Sequence, residues 1–247
     1  MEIEVTRLGN RGPAIVLVHG SLSDGSIAFQ AQAPLAERWQ LLIPNRRGYG
    51  GNPPIARVDV DKDAGDVVGL LGVGAHLVGT SMGGIVAARA AARAPERTLS
   101  LTLIEPPSFL NAVDVPAVGE TVDALRRYWE VADKSDPAKF VPAFLDALGI
   151  QMALPSPLPP QMLTAARNLM TETPWNASVP ATDIAKAPWR KLVVSGASCA
   201  AFEAICDRLA YEWGAVRRVF PGAGHAVQRI GEPFNQFLED FLLATGK

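Results

Sequence analysis

The run Gly79-Thr80-Ser81-Met82-Gly83-Gly84 constrains this chain more than any other stretch. It follows the apolar residues Ala75-His76-Leu77-Val78 and precedes Ile85-Val86-Ala87-Ala88-Arg89-Ala90-Ala91-Ala92, which read as a helix. The pattern is G-x-S-x-G between a strand and a helix. A turn that sharp tolerates no bulky neighbours, hence Gly79 and Gly83 around the serine. It lifts Oγ clear of a sheet. It also sets the serine at a helix N-terminus, where free N–H groups and the positive dipole end favour a developing oxyanion. Ser81 is therefore predicted to be a nucleophile.

The rest of the chain supplies a matching frame. Apolar, β-branched runs at 14–18, 39–44, 75–80, 99–105, 191–195 and 216–220 read as strands. Helical stretches are expected at 61–71, from the elbow to near Pro95, at 200–212 and at 233–244. Residues 1–7 alternate apolar and polar, like a further strand. Strands alternating with helices predict an α/β fold, a mostly parallel sheet covered on both faces.

Residues 108–188 break the rhythm. They hold no convincing buried strand and read as helices near 117–132, 137–148 and 160–171. The link Leu154-Pro155-Ser156-Pro157-Leu158-Pro159-Pro160 fits a stiff spacer better than a PxxP ligand. An insertion here would lie over the strands' carboxyl ends, where open α/β sheets bind ligands. The expected organisation is a core of residues 1–107 and 189–247 with a helical cap of 108–188. Three of the five methionines, Met152, Met162 and Met170, fall in the cap, with Trp129, Phe140, Phe144 and Trp175. A flexible apolar lining suits a hydrophobic substrate, although each of these residues could equally pack the cap onto the core. Trp175, in Thr173-Pro174-Trp175-Asn176, is the predicted cap contact to substrate, and Leu22 its partner from the core.

Composition excludes several classes. The 247 residues are 48% apolar and 19% charged with a formal net charge of −2, which argues against nucleic acid and against an electrostatic membrane surface. A core of this size needs no disulfides. Cys199 and Cys206, without a neighbouring histidine, do not read as a zinc site and suit a reducing compartment. No apolar run reaches membrane-spanning length, and residues 1–7 do not read as a signal peptide. A cytoplasmic protein without metal or organic cofactor is expected. Arg46-Arg47-Gly48-Tyr49-Gly50 reads as a tight turn, since no Walker-type lysine makes it a phosphate cradle.

A serine nucleophile needs a general base, and the chain offers three histidines. His225, in Pro221-Gly222-Ala223-Gly224-His225-Ala226 after the last strand, is the predicted base. His19 is expected to shape its loop. His76, at the far end of the elbow strand, is expected at the surface or behind the site. The oxyanion needs two backbone donors. These are predicted to be the N–H groups of Met82 and of Ser21, the latter in His19-Gly20-Ser21-Leu22.

With these residues in view the chain resembles the α/β-hydrolase fold family over nearly its full length. The shared marks are His19-Gly20, Asn45-Arg46-Arg47-Gly48-Tyr49-Gly50, the Ser81 elbow and Gly224-His225. In most of that family an Asp completes the triad in a G-x-x-D pattern. Here that stretch is Gly196-Ala197-Ser198-Cys199, without a carboxylate. Another subset carries the acid at the end of the strand after the elbow helix, which implies Glu105 in Leu103-Ile104-Glu105-Pro106-Pro107. The following proline predicts an extended backbone at Glu105. Glu105 could instead cap a loop or bond backbone N–H groups, with Glu203 and Asp207 as rival acids.

That subset includes fungal lactonases that open the mycotoxin zearalenone. The likeness covers Glu105-Pro106-Pro107, Gly196-Ala197-Ser198 and Phe202-Glu203-Ala204, and it implies a cap tryptophan over the substrate, for which Trp175 stands. The expected activity is hydrolysis of a small hydrophobic ester or lactone by Ser81, His225 and Glu105, with a homodimer allowed. A serine at the elbow argues against haloalkane dehalogenase and epoxide hydrolase chemistry. A C–C bond hydrolase, acyl transferase, hydroxynitrile lyase or small-molecule receptor would share the same residues.

Overall fold

The computed structural model describes residues 2–244; Met1, where the first strand was expected to begin, lies outside them. The strands in chain order are β1 (Val5–Leu8), β2 (Ala14–Val18), β3 (Gln40–Pro44), β4 (Ala75–Thr80), β5 (Thr98–Ile104), β6 (Arg190–Ser195) and β7 (Val216–Val219). They form one sheet in the order β1-β3-β2-β4-β5-β6-β7. Among the described residues only β1 runs antiparallel, against β3. The helices are α1 (Gly25–Ala28), α2 (Val60–Leu70), α3 (Met82–Arg93), α4 (Pro116–Val131), α5 (Pro137–Leu148), α6 (Pro160–Leu169), α7 (Ala181–Lys186), α8 (Ala200–Trp213) and α9 (Glu232–Leu243). Sequence periodicity missed α7 and the 3-10 run Gln30–Glu37, because both are short or carry an internal proline.

Two apolar layers explain why the central strands lack polar alternation. Val16 and Val18 of β2 join Leu77, Leu101 and Leu103 under residues of α2, α3 and α8. Their neighbours Ile15 and Leu17 point the other way, onto Leu35, Phe234 and Leu238. Successive strand side chains alternate faces, so a strand buried on both must be apolar throughout. Helix α3 buries nine residues, most of them alanine or glycine, which lets its axis lie close on the sheet.

Register then aligns the site. Val18 pairs with Gly79, Thr80 with Ile104, and Ile104 with Val194. The carboxyl ends of β2, β4, β5 and β6 therefore finish level. Gly20, Ser81, Glu105 and Gly196 leave the sheet along one edge.

Between β5 and β6 the chain makes α4 to α7 before rejoining the sheet. Helix α4 packs on α5 and α8, and α7 packs on α8 and α3. An aromatic cluster of Tyr128, Trp129, Phe140, Phe144 and Trp175 holds this segment together, with ring centroids 5.2 to 6.4 Å apart. Pairs at such spacings contribute roughly 0.5–1.5 kcal/mol each beyond the area they bury. Among the described residues no helix is long and apolar enough to cross a membrane.

Candidate active site

Ser81 sits in a backbone conformation that serine seldom adopts, with φ 52° and ψ −130°. Its N–H donates to Ile104 O at 2.8 Å, and its carbonyl accepts from Gly84 N at 2.8 Å. The two elbow glycines are required by contact. A Cβ on Gly79 would meet Gly83 O at 2.4 Å, and one on Gly83 would meet Val18 O at 2.2 Å. Gly20 is tight for the same reason, since a Cβ there would lie 2.9 Å from Ser81 Cβ. The chain thus buys a close approach of β2's end to the serine.

Glu105 is wholly buried at the end of β5. Its Oε1 accepts from Gly196 N at 2.8 Å, and its Oε2 accepts from Ser198 Oγ and from His225 Nδ1, the latter at 2.7 Å. Burial alone would raise its pKa. The hydrogen bond and charge of His225, with the bonds from Ser198 and Gly196, outweigh that and hold the carboxyl below its ordinary value. An ionised carboxylate only accepts, so Nδ1 of His225 carries a proton and Nε2 is left for other work. Phe202 packs on the imidazole, with centroids 4.7 Å apart.

One expectation about Glu105 needs correction. Its backbone is not extended ahead of Pro106 but has φ 42°. Its N–H donates to Val194 O at 2.9 Å, and this sheet bond together with the three side-chain bonds overrides the proline's preference. Ser81, Glu105 and Ala197 are the non-glycine residues with positive φ among those described. All three lie at this edge of the sheet, where surrounding contacts hold the strain. The rival carboxylates are engaged elsewhere, since Glu203 and Asp207 each bond Arg217 at 2.8 Å.

The loop after β2 is pinned from behind. Gly20 O accepts from His19 Nδ1 at 2.8 Å and from Arg46 Nη1 at 3.3 Å. This carbonyl shares a planar trans peptide with the Ser21 N–H, so fixing one direction fixes the opposite one. His19 is fully buried and accepts Arg46 N–H at Nε2, 2.9 Å away. Burial, helped by the Arg46 charge, lowers its pKa to about 3, so it stays neutral and structural. His76 is neither at the surface nor behind the site. It is buried at the start of β4, bonded to Ser100 Oγ at 2.8 Å, and burial lowers its pKa to about 4.

A cavity of about 830 Å³, its mouth included, opens over Ser81 and His225. Its apolar wall includes Leu22, Phe144, Leu148, Met152, Met162 and Phe202, while Ser21 and Met82 also line it. Trp175 does not line it. That ring packs edge-on against Trp129 at 5.2 Å, and its neighbour Pro174 reaches the cavity instead. A turn residue's direction is set by its tertiary neighbours, which local sequence does not encode. Met170, Trp129 and Phe140 likewise face packing partners.

Two further residues lie at the site, Glu172 without any sequence signal and Arg46 legible in the sequence only as part of a tight turn and a family mark. Glu172, from the inserted segment, lines the cavity, and Arg46 lies buried behind it. Arg46 Nε bonds Asp63 at 2.9 Å, and its Nη2 lies 3.5 Å from Glu172. Among the described residues no group of three or more His, Cys, Asp or Glu is placed to hold a metal ion, and Cys199 and Cys206 are unpaired.

Comparison with known proteins places these features in a family. A sequence profile described as the alpha/beta hydrolase family matches residues 15–237. Over 125 residues the chain is 32% identical to a pimeloyl-[acyl-carrier protein] methyl ester esterase of Aeromonas hydrophila, covering 49% of each protein. The match therefore spans about half the length of that curated relative. A thermophilic esterase from Thermogutta terrifontis superposes with a TM-score of 0.71 at 19% identity, over 99% of this chain and 94% of the other. The enol-lactonase from Burkholderia xenovorans LB400 does so at 0.67 and 22%, over 98% and 96%. At these identities the two structures establish the fold alone.

Proposed function

The chain belongs to the alpha/beta hydrolase family, and from that premise we propose that it cleaves a carboxylic ester or lactone of a hydrophobic substrate through an acyl-enzyme. The observation that carries this reading is His225, which lines the same apolar cavity as Ser81 and is bonded from behind by the buried Glu105. In this reading Ser81 Oγ attacks the acyl carbonyl while His225 Nε2 takes its proton. The imidazolium so formed is stabilised by Glu105 through Nδ1, and it returns the proton to the leaving alkoxide. Negative charge on the tetrahedral oxygen is met by the N–H groups of Met82 and Ser21. Water then attacks the acyl carbon as Nε2 takes its proton, and the imidazolium returns that proton to Ser81 Oγ as the ester bond to the serine breaks and the acid leaves. Ser81 Oγ makes no hydrogen bond within the described protein, and such contacts commonly close only around substrate.

The cavity wall supports a substrate with an extended apolar part, since Met152 and Met162 adapt to irregular shapes. A resorcylic macrolactone of the zearalenone type is one candidate, because the stretch Glu105-Pro106-Pro107 resembles that of the lactonases which open it.

The test is hydrolysis of p-nitrophenyl acetate, p-nitrophenyl octanoate and a resorcylic macrolactone by the wild-type protein and by Ser81→Ala. Turnover that the variant loses supports the proposal, and preference for octanoate or macrolactone assigns the cavity to the apolar part. Equal turnover by Ser81→Ala, or none by the wild type, overturns it.

A further inference from the structure

Glu172 follows α6 in the inserted segment and is almost fully buried. Ser21 Oγ lies 2.8 Å from its Oε2 and 3.1 Å from its Oε1. The same stretch docks at two more points. Asn168 Nδ2 donates to Gly48 O at 2.8 Å, and Thr171 Oγ1 accepts from Val58 N at 3.0 Å. Residues 168–172 therefore form a strap across the loops that follow β2 and β3.

The loop end of this strap is the catalytic one. Gly20 O is held by His19 and Arg46, and Ser21 O accepts from Tyr49 OH at 3.3 Å. Those bonds come from the core. Glu172 adds the hold from the inserted segment, on the side chain of the residue whose N–H faces the developing oxyanion in the proposed mechanism. We infer that Glu172 is a positioning residue for the oxyanion loop, so that the loop keeps its working shape only while the inserted segment is docked.

Charge makes this arrangement costly as a mere fastening. Arg46 serves two buried carboxylates, Asp63 and Glu172, and its Nη2 has no hydrogen-bond partner. The three groups carry one excess negative charge when all are ionised. A buried set with that imbalance adds little to stability, and an apolar pair would serve as well. What an apolar pair would not do is fix a serine by directional bonds from a separate segment of the chain.

The inference rests on the hydrolase reading, and its test reads the loop and the chemistry separately. Hydrogen exchange of peptides covering residues 19–24 is measured in the wild type, Glu172→Ala, Glu172→Gln and Ser21→Ala. Loss of the hold speeds loop exchange at least about tenfold in Glu172→Ala and Ser21→Ala. With p-nitrophenyl acetate, kcat falls about 10- to 100-fold in Glu172→Ala while KM stays within about threefold. Glu172→Gln, whose amide oxygen still accepts from Ser21, recovers most of that rate. Unchanged loop exchange overturns the inference, as does a loss confined to KM or one that glutamine fails to relieve. Ser21→Ala breaks the same bond from the core side, should Glu172→Ala fail to fold. A wild type without esterase activity counts against the hydrolase reading, while loop exchange still decides whether Glu172 holds the loop.

Discussion

Glu105 accepts the Nδ1–H of His225 across 2.7 Å from a fully buried position, 120 residues away in the chain. The pair joins the loop after β5 to the loop after β7. Gly196 makes the approach possible between them, because its N–H bonds Glu105 and a Cβ there would meet Gly224 O at 2.0 Å. Three loops are thus built around one carboxylate.

Replacing that carboxylate by an amide separates charge from shape. In Glu105→Gln the side chain can no longer accept at both oxygens, and the imidazole loses its tautomer control. Activity is expected to fall about 10²- to 10⁴-fold with KM little changed. Stability follows the sign of the shift. The folded pKa of Glu105 lies below its unfolded value, so its ionised form contributes stability above about pH 4.3 that disappears as pH falls through the folded value. The Tm difference between wild type and Glu105→Gln should therefore close between about pH 5 and pH 3. A constant difference across that window would place the carboxylate's contribution elsewhere.

Ser81 supplies a second, independent prediction. Its φ of 52° is one that glycine adopts freely and other residues resist. Ser81→Gly should raise stability by about 1–2 kcal/mol, which is about 2–8 °C in Tm for a chain of this length. Ser81→Ala keeps the strain and should stay within about 0.5 kcal/mol of wild type. Thermal melts of the three proteins decide it.

Glu172 carries the opposite sign from Glu105. Burial dominates there and raises its pKa, with Arg46 and Ser21 offsetting only part. Such a group is neutral in both states below its unfolded pKa and destabilises the fold as pH rises through its folded value. Glu172→Gln should match the wild type in Tm near pH 4 and exceed it at pH 8. The variant would then be more stable at neutral pH while keeping most of its rate, because the amide oxygen still accepts from Ser21. A lower Tm at pH 8 would make the carboxylate a stabilising element.

The cavity wall predicts selectivity. Met162 lines it from α6 on the inserted segment. Met162→Trp fills space that an extended acyl group would use. The ratio of kcat/KM for p-nitrophenyl octanoate over acetate should drop at least about tenfold, in line with the few kcal/mol such steric changes cost. Equal effects on both esters would put the acyl group on another wall.

The elbow, the alternation of strands with helices and the helical break after β5 are legible in the residues because each is a local pattern. G-x-S-x-G encodes its own turn, and continuous apolar runs encode strands buried on both faces. His225 could be chosen because glycines around it mark a loop at a strand's end. Glu105 stood out as a carboxylate closing an apolar strand, yet its backbone could not be read. The local rule at Pro106 favours an extended chain, and contacts from β6 and the loop beyond it impose φ 42°. Trp175 and Glu172 mark the same limit from both sides. A tryptophan in a turn looked fit to touch substrate and packs on Trp129 instead. A glutamate with nothing to distinguish it in its own neighbourhood meets Ser21, 151 residues away. Periodicity and turn chemistry are written between neighbours in the chain, whereas the direction of a side chain and the partner of a buried charge exist only once distant segments have closed on each other.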